Sequence, residues 1–176
     1  MSVRPLSEAG IRVLGDMMPS AQRPRVLRDA VRASRVPVDD LPELIAFAWL
    51  RDDSPTSDIT EPDWTEIFKT VGFFSHPPGR SLPASTITVY RGATADRLHR
   101  MSWAEDRNVA IRLGRRHAWH SPAALYSATI APTGLLAFLG RQGEGWTAVV
   151  DTATLKDIHH VEQLPDPHPA VPLGCH

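Results

Sequence analysis

Apolar residues recur at helical spacing over the first part of the chain and gather into short, dense runs after about residue 85. Residues 7 to 50 carry the helical pattern, with Val26, Leu27, Ala30, Val31 and Ala33 set among arginines and Asp29. Asp39-Asp40-Leu41-Pro42-Glu43 then opens a further helix over Leu44 to Leu50. Acidic residues and an early proline suit a helix N-terminus, where N–H groups are free and the dipole is positive. Arg51 to Asp58 reads as polar loop. A third short helix starts at Thr60-Glu61-Pro62-Asp63, buries Trp64, Ile67, Phe68 and Val71 on one face, and stops at Gly72. His76 to Ser85 is a Pro/Gly/Ser connection.

Beyond it the pattern is mixed. Thr86 to Tyr90 reads as a strand and Ser102 to His117 as a loop followed by a helix. Leu125 to Ala131 and Leu135 to Leu139 are short strands separated by Pro132-Thr133-Gly134. Trp146 to Val150 is another strand, closed by Asp151, and Ile158 to Val161 is the last. A helical leader followed by short strands around few helices predicts an α+β fold. The expected organisation is a helical segment over residues 1–75 packed on a core over residues 76–163, with a proline-rich tail over residues 164–176.

Composition narrows the picture without changing it. The chain has 176 residues, 42% of them hydrophobic and 22% charged, which suits one folded domain rather than a disordered chain. A net charge of −1 gives no global reason to bind a nucleic-acid backbone or an anionic membrane. The lone Cys175 cannot form an intramolecular disulfide, the first residues lack a signal peptide's apolar run, and no stretch approaches a membrane span. The expectation is a cytoplasmic protein with no membrane partner. The eight histidines lack companion acids or cysteines at ligand spacing, so no metal site is expected.

Three places carry candidate chemistry. In Tyr90-Arg91-Gly92 an ionised guanidinium ends an apolar strand. Its planar fork matches phosphate oxygens, and the following glycine admits close approach to the backbone. From these residues alone, an ion pair with an acidic neighbour is the commoner outcome. Ser102-Trp103-Ala104-Glu105 has the form of a capping box, with the serine oxygen accepting from the first turn of a helix. Trp103 in this setting is more often core than pocket wall. Gly140-Arg141-Gln142-Gly143-Glu144-Gly145-Trp146-Thr147 is a glycine-rich loop entering the strand that ends at Asp151. Its Glu144 reads either as a solvated loop carboxylate or as one beside a pocket. Gln142 and Trp146 are candidate contacts to a target, although a tryptophan in this place is more often core.

The order of these motifs resembles the Arg–Ser–Glu branch of the ADP-ribosyltransferase superfamily, in particular small bacterial and phage-borne members. The similarity runs from about Trp64 to about Leu155 and includes Leu125-Tyr126-Ser127-Ala128-Thr129-Ile130-Ala131-Pro132 and Leu135-Leu136-Ala137-Phe138-Leu139-Gly140-Arg141 as the strand pair before the catalytic loop. The resemblance implies a split β-sandwich core and NAD as co-substrate. Arg91 would hold the NAD diphosphate, and Gly92 would meet the nicotinamide amide through its backbone. Ser102 would orient the site, Tyr90 and Trp103 would lie against the cofactor, and Glu144 would stabilise the developing positive charge. In the family pattern the glutamate stands directly before the strand, with Glu or Gln two residues earlier. Counted back from Asp151, those places hold Thr147 and Gly145, and Glu144 is three residues early. Arg112-Leu113 stands where relatives often carry aromatic residues.

These residues admit three readings. The first is a mono-ADP-ribosyltransferase using Arg91, Ser102 and Glu144 on a protein or nucleic-acid target that the sequence does not identify. The second is a protein of the same fold that has lost catalysis and binds NAD, another nucleotide or a protein. The third is a small interaction module in which Arg91 pairs with an acid and Ser102 caps a helix.

Overall fold

The computed structural model describes residues 5–19, 21–51, 58–116, 122–141, 143 and 145–165. Four helices precede the sheets: α1 (Glu8–Met17), α2 (Arg23–Arg32), α3 (Leu41–Leu50) and α4 (Glu61–Val71). Helix α3 starts at Leu41, earlier than its sequence suggests. Pro42 falls within its first turn, where a missing N–H costs nothing. Asp40 does not cap α3 with its side chain. It reaches back to α1 instead, accepting from the Ser7 backbone N–H at 3.2 Å and from the Ser7 hydroxyl. The same Ser7 oxygen accepts from Gly10 N–H at 3.1 Å, and a Cβ on Gly10 would lie 2.5 Å from the Asp40 carboxylate. Buried Asp40 is thus a clamp between helices. Helix α4 has the capping expected at its start: Thr60 accepts from Asp63 N–H at 3.3 Å while Asp63 accepts from Thr60 N–H at 3.1 Å.

Four strands, β1 (Phe74–His76), β3 (Ser102–Trp103), β5 (Leu135–Arg141) and β6 (Gly145–Val150), form a sheet in the order β1-β5-β6-β3. Three more, β2 (Ile87–Ala93), β4 (Ala124–Ile130) and β7 (Lys156–Gln163), form a second sheet in the order β2-β4-β7. The α+β class is therefore correct. Strand β1 lies at the end of the segment assigned to the helical leader and pairs in parallel with β5, so the sheet begins before residue 76. Leu164, assigned to the tail, is buried and donates its N–H to Ala123 at 2.9 Å. Residues 166–176 lie outside the described residues.

Side-chain alternation sorts the strands into layers. Val89, Ala128 and Ile130 meet Trp103, Phe138 and Val150 between the two sheets. The other face of the four-stranded sheet offers Ala137, Leu139 and Val149 to the helices, against Met17, Leu27, Leu44 and Phe68. Trp49 and Trp64 meet edge to face there, with centroids 4.9 Å apart. The outer face of the three-stranded sheet packs Leu125 against Val109 and Ala110 of α5 (Arg107–Arg116).

Helix α5 lies on β2 at backbone distance. A Cβ on Gly92 would sit 2.5 Å from the Ala110 carbonyl oxygen, and one on Gly114 would sit 2.6 Å from the Gly92 Cα. Neither glycine tolerates a side chain without moving the helix. Gly114→Ala is expected to lower stability by about 1–3 kcal/mol although alanine favours helix. Gly15→Ala in α1, where a Cβ meets nothing within 4 Å, is expected to raise stability by up to about 1 kcal/mol. Urea denaturation of both variants checks the pair. Equal shifts in one direction would rule out the close approach.

Candidate functional site

The two sheets touch where β3 runs beside β2. Tyr90 N–H donates to the Ala104 carbonyl at 2.6 Å, and Ala104 N–H donates to the Tyr90 carbonyl at 2.8 Å. On its other side β3 pairs with β6, matching Ser102 to Val149 and Trp103 to Ala148. Val150 N–H donates to the Met101 carbonyl at 2.9 Å. By strand alternation the polar groups of Ser102 then face β2 rather than β6. The same alternation turns the N–H and C=O of Gly92, two residues past Tyr90, away from β4 and toward this seam. A regular ladder would join Gly92 to Ser102. Here the strands diverge, and the Arg91 side chain fills the gap.

Arg91 donates through Nε to the Arg97 carbonyl at 3.0 Å and through Nη1 to the Ser102 carbonyl. It therefore ties the 94–101 segment, with its 3-10 turn Ala95–Arg97, and the start of β3 to the end of β2. Among the described residues no carboxylate forms an ion pair with it. Burial pulls its pKa down to about 10, and its other influences are Glu61, which raises it, and Arg100 and Arg97, which lower it. The guanidinium stays charged at neutral pH and is only loosely compensated. The expected alternative of a strand-end arginine paired to an acidic neighbour is not what the described residues show.

The other predicted residues separate. Ser102 reaches Arg91 through its carbonyl, and it does not cap a helix. Helix α5 starts at Arg107, and Asp106 accepts from Asn108 N–H at 2.7 Å and Val109 N–H at 3.4 Å, so the cap belongs to Asp106. Glu105, the other half of the expected capping box, pairs with Arg80. The Arg80 guanidinium also lies 4.0 Å from the Phe138 ring centroid and 5.5 Å from that of Trp146. Trp103 is 1% exposed, packs between the sheets and donates Nε1 to the Arg100 carbonyl at 2.8 Å, so it belongs to the core. Tyr90 packs its side chain on the α5 side, where Val109 and Leu125 lie. Gly92 uses its missing Cβ for α5, and its carbonyl also lies close against Gly114, where a Cβ would come 3.0 Å from the carbonyl oxygen. Trp146 is half-buried and packs against the inter-sheet core.

At the third motif, Glu144 and Gln142 lie outside the described residues. Thr147 lies opposite Leu139 in β5 and donates its hydroxyl to the Leu139 carbonyl at 2.9 Å. It shares a face of β6 with Val149, and hence with Ser102. Gly145 has φ +89°, and a Cβ there would lie 2.7 Å from Val109 Cγ2, so this position is closed to any side chain. Arg97 and Arg100 are cations that sequence reasoning did not single out. The signal was the spacing of basic residues in Arg97-Leu98-His99-Arg100, shortly after the Tyr-Arg-Gly motif.

Among the described residues no group of three or more His, Cys, Asp or Glu side chains is placed to hold a metal ion. No helix among them is long and apolar enough to cross a membrane. Comparison with known protein families, curated proteins and solved structures finds no match for this chain.

Arg91→Met removes both donors and leaves two carbonyls to be satisfied otherwise. The expected loss is about 1–3 kcal/mol of stability, with faster amide exchange over residues 94–104. Exchange measured by mass spectrometry checks this. Unchanged protection over that segment would mean that Arg91 does not hold it.

Proposed function

We propose that this protein is an NAD-dependent mono-ADP-ribosyltransferase that holds the NAD diphosphate at Arg91. The observation that carries the reading is the seam itself. A half-buried guanidinium without a carboxylate partner among the described residues lies beside a glycine whose peptide groups turn away from β4 toward the same seam. The guanidinium suits a diphosphate, and a neighbouring donor and acceptor on one backbone edge suit a carboxamide such as that of nicotinamide.

The chemistry asks little of the protein. The bond between the ribose C1′ and the nicotinamide nitrogen breaks, and its electron pair goes to the ring, which was already cationic. No acid is needed to expel it. What accelerates the step is a fixed substrate and a negative charge near the oxocarbenium-like sugar. An acceptor nucleophile then bonds to C1′ and loses its proton. Glu144 is the carboxylate proposed for the charge, on the glycine-rich loop entering β6. The target of transfer is a protein or nucleic acid not identified by these residues.

A second reading is favoured by Thr147. It stands on the Ser102 face at the place the family pattern gives to glutamate, with its hydroxyl already used by Leu139. A threonine supplies no charge. On this reading the protein binds NAD or another nucleotide without cleaving it.

Labelled NAD and a bacterial lysate separate the two. The transferase reading expects nicotinamide release and label transfer, with Glu144→Gln lowering release by at least about a hundredfold while NAD still binds. NAD binding without nicotinamide release, in the wild-type protein and with lysate present, would establish the second reading. No binding of NAD at all would remove both.

A further inference from the structure

Arg91 is not the sole cation at the seam. The segment that wraps it is fixed at three carbonyls: Arg97 and Ser102 accept from Arg91, and Arg100 accepts from Trp103 Nε1 at 2.8 Å. Arg100 is therefore anchored beside Arg91 through its backbone, while its side chain stays half exposed and points to Glu61, the first residue of α4. Their contact, 3.4 Å between Nη1 and Oε1, is long for a charge-assisted hydrogen bond and long beside the 2.6 Å of Lys69–Asp151. Both Glu61 and Arg100 act electrostatically on Arg91. Arg97 and Asp96 complete the group, and Asp96 is engaged by the Thr94 hydroxyl at 2.6 Å. Three arginines thus face two carboxylates, one of which is already committed to its own turn.

We propose that Arg100 is a second anion-binding arginine beside Arg91 and that Glu61 is its resident counter-ion, displaced when a diphosphate enters. The inference rests on the reading of Arg91 as a diphosphate anchor and adds who shares the load. Glu61 holds Arg100 loosely in place and lowers the positive potential of the seam. An entering diphosphate offers oxygens to both guanidinium groups, and the Glu61 carboxylate then turns to solvent. Affinity is set by the difference between two anions on one cation, so removing the internal anion strengthens binding of the external one.

Isothermal titration of ADP-ribose and of inorganic pyrophosphate into the wild-type protein, Glu61→Gln, Arg100→Gln and the double variant tests this. Thermal melts confirm that each variant is folded. Glu61→Gln is expected to tighten both anions about fivefold and Arg100→Gln to weaken them about fivefold, the size of one partly exposed charge contact. In the Arg100→Gln background, Glu61→Gln should change affinity by less than about twofold, because the two act through one contact. If ADP-ribose binds but Glu61→Gln leaves its affinity unchanged, or the gain persists without Arg100, the counter-ion role is overturned and the NAD reading stands. If pyrophosphate shows the expected pattern while ADP-ribose does not bind, the arginine pair stands and the nucleotide reading falls. If neither anion binds any variant, both are overturned.

Discussion

The two sheets come together at the Tyr90–Ala104 bridge, and the divergence of their strands just past it sets the character of the molecule. Beyond that bridge β2 and β3 separate, so Gly92 and Ser102 lose the ladder that would have satisfied them. A side chain must then serve the exposed carbonyls, and few can. Arginine reaches both the Arg97 and Ser102 carbonyls from one planar group. Lysine and glutamine carry their donors on a single nitrogen, whereas arginine spreads them over a planar fork. The residue that closes the seam therefore brings a permanent charge into a half-buried place. Structure and candidate chemistry meet in the same guanidinium. Its two carbonyl contacts solve a folding problem, and Glu61 offsets its charge from a distance.

The glycine after it has a comparable double use. Gly92 lets α5 lie against β2 through Gly114, and this contact builds the outer layer over Tyr90 and Leu125. The close approach that the sequence suggests for a ligand is thus taken by a helix on the Cβ side. The strand edge of Gly92 points elsewhere, into the seam, because the direction of peptide groups and that of side chains are perpendicular in a strand. A single glycine can pack against a helix on one side and turn its peptide groups to the seam on another, because the two directions differ.

Much of this was legible in the chain. The helices declared themselves through period and capping, as in Thr60 to Gly72, where the observed capping residues are the ones the sequence offers. The long strands β2, β4, β5 and β6 announced themselves by apolar runs. The short strands did not. Phe74–His76 and Ser102–Trp103 exist because β5 and β6 offer edges to pair with, and pairing across such distances leaves no local pattern. The capping box at Ser102 was misread for a related reason. Asp106 is an equally good cap one turn nearer the helix, and the pull of β6 and Arg91 on Ser102 is invisible in sequence. Motif order put Arg91 and Ser102 at one site, and the two do touch. It did not show that they touch through a carbonyl, nor that Arg97 and Arg100 would be gathered beside them.

The third motif is where packing constrains chemistry most. Thr147 is held by Leu139, and its neighbour Val149 belongs to the apolar face under the helices. A carboxylate at 147 would lie beside that apolar surface and lose the hydrogen bond the threonine makes. Gly145 is shut by Val109 of α5, and its φ of +89° suits glycine alone. Thr147 is thus engaged by the neighbouring strand, and Gly145 is held as glycine by its backbone and by α5. Glu144, next before Gly145 in the sequence, lies outside the described residues. The constraint at position 145 follows from how closely α5 lies against the start of β6.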